Sequence, residues 1–383
     1  MRFTVSSTQL SNCLNALSKV IVAKNAMPIL ECFLFEVSEG ILHITASDNE
    51  NIMKAAITLD ESDGDGRFCI TNRTILDAVK ELPEQPISIE IDMASMQTRI
   101  VYLNGLYNIV AADNYPTNIP MQEECSSFVT TSSVIAENVS RSLFATAQDE
   151  LRPIMNGIFF DIDPEGLAVV ASDGHKLVRN KLNHVKSENH ASFILPKKPA
   201  NLLKNVLAKN GSEVTVVFDN RNACVTYSGG SLTCRLTEGR YPNYASVIPH
   251  DNTNVVNIDR KALLGSIKRV LPFANEATQL IRLRIDRDRI EVSSEDIDFS
   301  TSAKEEIVCD YDGIPMSIGF KGSTLTEILN NLDSENVLLK LADPTRAGLF
   351  MPEMRYSCST RWYSWAFCSR PNLLIKEVSF QRI

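Results

Sequence analysis

Six stretches of the chain carry apolar residues at helical spacing, and each sits between one short strand-like run and a group of further strands. In the first, Arg2–Val5 reads as a strand, and Leu10, Leu14, Leu17 and Ile21 then recur at the spacing of one helix face. Ile29–Val37, Ile41–Ala46 and Met53–Leu59 follow as strands separated by turn residues. The order then starts again. Arg67–Ile70 leads into a helix carrying Ile75, Leu76, Val79 and Leu82, with Ile87–Ile91, Thr98–Leu103 and Leu106–Ala111 as its strands. Further helices are predicted around Ile135, Val139 and Leu143, around Leu202, Leu203, Val206 and Leu207, around Leu263, Leu264, Ile267 and Leu271, and around Leu325, Ile328, Leu329 and Leu332. One helix per half-unit among so many strands predicts an α+β chain with sheets on one side and helices on the other.

The half-units pair into three copies with a period of about 125 residues, the signature of stacked or ring-forming modules. Pro28-Ile29-Leu30-Glu31-Cys32-Phe33-Leu34-Phe35 returns as Pro153-Ile154-Met155-Asn156-Gly157-Ile158-Phe159-Phe160. Ala46-Ser47-Asp48 returns as Ala171-Ser172-Asp173, and Tyr115-Pro116 as Tyr241-Pro242. A weaker third copy begins near Val255. The implied domains are 1–120, 125–250 and 253–353, joined by the polar, proline-containing linkers Thr117–Ser127 and Pro249–Asn254.

Composition narrows the function. No apolar run approaches a membrane span, and no basic segment followed by an apolar stretch opens the chain as a signal peptide would. The nine cysteines form no C-x-x-C pair and no zinc-spaced cluster with histidine. The expectation is reduced, mostly buried thiols, a cytoplasmic protein, no metal and no cofactor. A net charge of −9 argues against nucleic acid until its distribution is considered. The helical segments 7–20, 72–82, 132–147, 196–210, 258–270 and 321–332 hold 13 basic and 5 acidic residues, a net of +8, which leaves −17 on the rest. A basic face on an acidic body attracts phosphate backbone without reading bases. A hydrolase using Asp173 and His175 is the competing class, but no G-x-S-x-G, P-loop or H-E-x-x-H motif supports it. A β-rich protein-binding scaffold that does not bind DNA is the other alternative.

Several motifs sit in order along this frame. Ser172-Asp173-Gly174-His175-Lys176-Leu177 is similar to T-D-G-H-R-L, and Gly239-Arg240-Tyr241-Pro242-Asn243-Tyr244 with Val247-Ile248-Pro249 to G-R-F-P-D-Y…V-L-P. Met1-Arg2-Phe3-Thr4-Val5, Met27-Pro28-Ile29-Leu30 and Glu335-Asn336-Val337 fit the same pattern. Together they resemble the bacterial DNA polymerase III beta subunit family, the sliding clamps. That resemblance implies three tandem clamp domains, a head-to-tail homodimer closed into a ring, helices lining the hole and sheets outside. It implies a non-catalytic, cytoplasmic and nucleoid-associated processivity factor. Its partners would be double-stranded DNA, the replicative polymerase, the clamp loader, and repair and translesion polymerases. By resemblance and by charge, the DNA-facing residues are Lys24, Arg73, Gln148, Arg152, Lys197 and Lys198. A partner-peptide groove would be formed by Met155, Ser172, Gly174, His175, Lys176, Leu177, Pro242 and Val247. Leu106, Tyr107 and Phe273 are the expected dimer contacts, and no catalytic residue is expected.

The tail departs from this pattern. Residues 354–383 hold both tryptophans and replace the strand that should end the third copy, while Met351-Pro352-Glu353-Met354 aligns one strand too early, with Val101–Asn104. Codons for Met354–Ser359, read from the third base of the first, can spell Glu-Ile-Leu-Leu-Leu, close to the family's usual ending. The tail therefore reads as a frameshift near Glu353; a natural extension is the alternative. The preceding sheet edge is expected to be left unpaired and the groove half-built, the alternative being that the tail rebuilds the strand with Tyr363, Trp365 and Phe367 as its alternating residues.

Overall fold

The computed structural model describes residues 1–116, 121–149, 151–207 and 211–353, and the backbone of the short strand 367–369. Six α-helices lie among these residues: α1 (Ser7–Ser18), α2 (Asn72–Val79), α3 (Ser132–Leu143), α4 (Lys197–Val206), α5 (Arg260–Val270) and α6 (Gly322–Asn330). Each falls where apolar spacing places it, and each follows directly on a strand. In α1 the spacing works as read for Leu10, Leu14 and Leu17, which are buried, whereas Ile21 lies past the helix end. The Ser6 hydroxyl accepts from the Gln9 amide (3.1 Å), and the Asp259 carboxylate from the Ala262 amide, capping α1 and α5. Pro28 and Pro153 each open one turn of 3-10 helix, Pro28–Glu31 and Pro153–Asn156, so the strands predicted from Ile29 onward start only at Cys32 and Gly157.

The later strands of a half-unit pair with one another, as Cys32–Ser38, Ile41–Ser47 and Asn51–Thr58 do, but the opening strand joins the sheet of the other half. Arg2–Ser6 joins Pro86–Asp92 of the second half, with Phe3 opposite Ile89. Ser126–Thr131 likewise joins Glu213–Phe218, and Asn254–Asp259 joins Asn336–Leu341. In every repeat the opening strand is therefore exchanged into the sheet of the later half. Alternation of apolar and polar residues identifies a strand and its inner face, but not its partner.

The chain condenses into two compact units. The first comprises residues 1–139 and 195–238. Its larger sheet has eight strands in the order 126–131, 213–218, 222–227, 230–235, 51–58, 41–47, 32–38 and 66–71. The first and second repeats thus share one continuous sheet, joined where Gly230–Arg235 pairs with Asn51–Thr58. Beneath it Phe35 stacks on Phe68 (5.3 Å between centroids) with Phe3 nearby, all fully buried. The joint depends on Gly230. It lies opposite Ala55, and a Cβ there would stand 2.3 Å from the Lys54 carbonyl oxygen. Gly230→Ala is expected to destabilise the first unit by about 1–3 kcal/mol, measured by thermal melting, because backbone must shift to admit the methyl. An unchanged melt would show that the joint is loose.

The second unit comprises residues 140–194 and those from 239 onward. One core runs through it: Ala145, Ala171 and Val178 of the second repeat are buried together with Leu263, Ile267, Leu325, Ile328 and Leu329 of the third. The sheet of the third repeat orders Asn254–Asp259, Asn336–Leu341, Gly348–Pro352 and Phe367–Ser369. Gly348–Pro352 holds the position that Gln97–Tyr102 holds in the first repeat, which accords with the one-strand offset of Met351-Pro352. The expected bare edge is not there. Gly348, Leu349 and Phe350 pair with Ser369, Cys368 and Phe367, so three tail residues supply a fourth strand. The chain is still firmly held at Glu353, whose carboxylate accepts from the Asn257 (2.7 Å) and Asn336 (2.8 Å) amides. Tyr363 and Trp365 lie outside the described residues.

Candidate partner groove and basic helices

The turn Ser172–Leu177 is wired through its own side chains. Ser172 Oγ donates to the Lys176 carbonyl (2.9 Å) and accepts from the Gly174 amide (3.1 Å). Asp173 Oδ1 accepts from the amides of His175 and Lys176, both at 2.8 Å. Burial would raise the Asp173 pKa, but those two amides and the Lys176 ammonium outweigh it and hold the carboxyl below its ordinary range. Gly174 occupies the left-handed region (φ +89), which glycine adopts without strain. Its bare Cα faces Met155 and Arg152, and a Cβ would stand 3.2 Å from Arg152 Nη1. His175 is exposed.

Below the turn lies a small apolar cluster of Leu177, Ala168, Val170, Ile194 and Tyr241, with Ile154, Tyr244, Ile248 and Ala347 packed against it. The Tyr241 ring stacks on Phe159 (4.6 Å, 3° apart), and the Tyr244 hydroxyl donates to Asp161 (2.8 Å). These contacts fix the Tyr241–Ile248 segment, so that Pro242 and Val247 face solvent beside the cluster while Met155 is half-buried. The predicted set is thereby brought together on one surface, with two differences. Leu177 is only 4% exposed, so it underlies the groove rather than forming its open floor. Lys176 turns its ammonium away, towards Asp173 and Glu327. Ile154, Tyr241 and Tyr244 support this surface and were not singled out from the sequence, although the Tyr-Pro repeat marks Tyr241.

The hydrolase reading fails on geometry. Asp173 accepts from the backbone amide of His175 and pairs with Lys176, so its charge is committed elsewhere than the imidazole. Burial pushes the thiols of Cys13, Cys69 and Cys234 up to about 12, the wrong direction for a nucleophile. Among the described residues, no cluster of three metal-ligating side chains occurs.

The predicted DNA-facing residues divide between the units. In the first, Arg73 stands out from the start of α2 with its side chain 92% exposed, near Asp77 (3.9 Å). Lys24 is exposed in a left-handed conformation (φ 62), its amide donating to Glu31 (3.1 Å). Lys197 is half-buried at the start of α4. Lys198 is not a free cation: it pairs with the buried carboxylate of Asp48 and donates to the Val20 carbonyl (2.9 Å), tying the second repeat to the first. In the second unit Gln148 is exposed, and Arg152 pairs with Asp149 (2.9 Å) while lying against Gly174. Arg152 therefore belongs to the edge of the groove as much as to any DNA-facing set. Arg73, the Lys197-Lys198 pair and the Arg260-Lys261 pair all stand in first helical turns. Cations there oppose the helix dipole at a cost of about 0.3–1 kcal/mol each, so their recurrence is not explained by helix stability. The exposed lysines Lys204, Lys261 and Lys268 add to this charge.

The predicted dimer contacts are accessible in their own units. Leu106 is 46% exposed and Tyr107 half-buried against Tyr102 (4.9 Å) on the sheet-edge strand Gly105–Val110. Phe273, in the 3-10 turn after α5, is 42% exposed. Near it lies the edge strand Thr301–Val308, with Ile297, Phe299 and Val308 exposed, three residues the sequence did not flag.

Comparison with known proteins identifies the family. Residues 1–119 match the N-terminal domain of the DNA polymerase III beta subunit, residues 130–243 its central domain and residues 245–360 its C-terminal domain. The chain is similar to the beta sliding clamp of Pseudomonas putida, at 26% identity over 91% of this chain and 95% of the relative. It is similar at 26% to that of Escherichia coli K12, over 90% and 93%. Among solved structures it resembles the Pseudomonas aeruginosa clamp bound to griselimycin, with TM-score 0.89, 24% identity and coverage of 98% and 100%. It also resembles the Thermotoga maritima beta subunit, with TM-score 0.84, 26% identity and the same coverage. With all three domains matched in order, this chain of three tandem clamp domains belongs to the DNA polymerase III beta subunit family.

Proposed function

We propose that the protein is a DNA sliding clamp, a non-catalytic processivity factor acting as a ring-shaped homodimer around duplex DNA. The observation that carries the reading is the match of all three clamp domains in order, on a chain whose helices repeat one strand-to-helix arrangement six times. The domains are 1–120, 125–250 and 253–353, followed by the atypical tail 354–383. Helices face the DNA and sheets face outward. Replicative polymerase, clamp loader, and repair and translesion polymerases dock by short apolar-anchored peptides on the surface of Met155, Gly174, His175, Pro242 and Val247. The setting is the cytoplasm, on the nucleoid; among the described residues, no helix is long and apolar enough to cross a membrane.

DNA is held by encirclement, with the basic helices adding a weak, sequence-blind attraction. Lys198 is a poor probe of that attraction because its charge already serves Asp48. Arg73, Lys204 and Lys268 are exposed. Replacing all three with alanine is expected to leave the melting temperature nearly unchanged and to flatten the salt dependence of direct DNA binding. The slope should fall by about one unit per phosphate contact removed. An unchanged slope, or strong preference for one DNA sequence, contradicts the reading.

A further inference from the structure

Lys176 lies within the groove turn, yet its ammonium points away from the groove. Its side chain is 11% exposed and stands 2.8 Å from Glu327 Oε2 and 3.1 Å from Asp173 Oδ2. The Phe144 ring lies beneath it, 5.9 Å from ring centroid to nitrogen. Burial alone would lower the lysine pKa, but the Glu327 and Asp173 carboxylates more than offset this and keep it above the ordinary value. Glu327 belongs to α6 of the third repeat and is 48% exposed. Ala171 and Val178, which flank the turn, are buried in the same core as Leu325, Ile328 and Leu329 of that helix. The middle of the turn is held less, at Gly174, whose backbone is left-handed, and at His175, which is exposed. Lys176 is the residue through which α6 reaches that middle. At the first junction the matching aspartate, Asp48, takes its cation from the helix instead, at Lys198.

We propose that Glu327 is a positioning residue for the partner groove: it anchors Lys176, and through Lys176 it fixes the Gly174–His175 wall without touching the bound peptide. The inference rests on the groove reading given above. Without Glu327, Lys176 keeps only Asp173, its long chain regains rotamers, and a cation becomes able to swing over an apolar surface. The third repeat thereby tunes how tightly partners are held on the second.

The test is a double-mutant cycle on the full-length protein, read by calorimetric titration. Griselimycin, to which the matched Pseudomonas aeruginosa and Bartonella birtlesii clamps are bound in their structures, serves as one probe. A synthetic peptide with two adjacent leucines serves as the other. Glu327→Ala is expected to weaken binding by about three- to tenfold, the size of an indirect coupling. The same change on a Lys176→Met background is expected to add nothing, because the residue it acts through is gone. High salt should shrink the Glu327→Ala effect, since the pair is partly exposed. Equal affinity for Glu327→Ala and the parent overturns the proposal, as does a full additional loss on the Lys176→Met background. A parent protein that binds neither probe overturns the groove reading itself. Thermal melts of each variant separate these outcomes from unfolding.

Discussion

A single Leu106→Asp substitution is expected to leave the protein monomeric at micromolar concentration, where the parent chain is a dimer. Leu106 lies on the last strand of a five-stranded sheet, with Leu103 (78% exposed) and Val110 (67%) also open to solvent. Soluble proteins usually blunt such an edge with charge, proline or a bulge. This one carries no charged side chain, and apolar side chains also stand open at both ends of the edge strand Thr301–Val308, with Ile297 and Phe299 in the turn before it and Val308 at its end around 80% exposed. An uncharged edge and a second edge flanked by exposed apolar residues fit a head-to-tail pair in which each edge finds the other. Such a pair repeats the same contact twice, so one substitution acts at two places. An unpaired carboxylate buried at an interface costs about 3–5 kcal/mol, so two such contacts shift dissociation by more than about ten-thousandfold. Phe273→Asp is expected to act in the same direction. Sedimentation velocity over a dilution series measures the effect. A dimer of unchanged dissociation constant would show that these edges have another use.

Much of this architecture was legible in the sequence. Helical spacing located all six helices, because Leu10, Leu14 and Leu17, or Leu325, Ile328 and Leu329, point one way only when wound at 3.6 residues per turn. The repeat of Ala-Ser-Asp and Tyr-Pro marks both sides of the surface proposed to hold partner peptides: Ser172 and Asp173 form the turn, and Tyr241 stacks on Phe159 beside it. Strand pairing was not legible. Phe3 and Ile89 face each other across the first sheet although nothing local in either segment names the other.

The charge pattern needs correction in detail. Lys198 and Arg260 counted as basic-face residues, yet one is tied to Asp48 and the other donates to the carbonyls of Ser334 and Leu329. Their partners lie far away in sequence, so only tertiary structure could remove them from the list. The position of Arg152 beside Gly174 was hidden for the same reason. The tail was read as leaving an unpaired edge. Backbone hydrogen bonding is less demanding than side-chain identity, and Phe367–Ser369 pairs with Gly348–Phe350 although its sequence does not follow the family's ending.

The largest effect expected concerns how DNA is held. If binding is topological, residence on DNA depends on whether the DNA has ends, not on the strength of any one contact. Direct attraction between phosphates and the basic helices falls steeply with salt, while encirclement does not. Retention should therefore survive salt concentrations that abolish direct binding, provided the DNA is closed. The measurement is direct: load the full-length protein with a clamp loader onto a circular plasmid, pass the complex through a sizing column in high salt, then cut the plasmid once and repeat. The account predicts that the protein travels with the circle and is lost from the linear form. Equal retention on both, or equal loss from both, would contradict it.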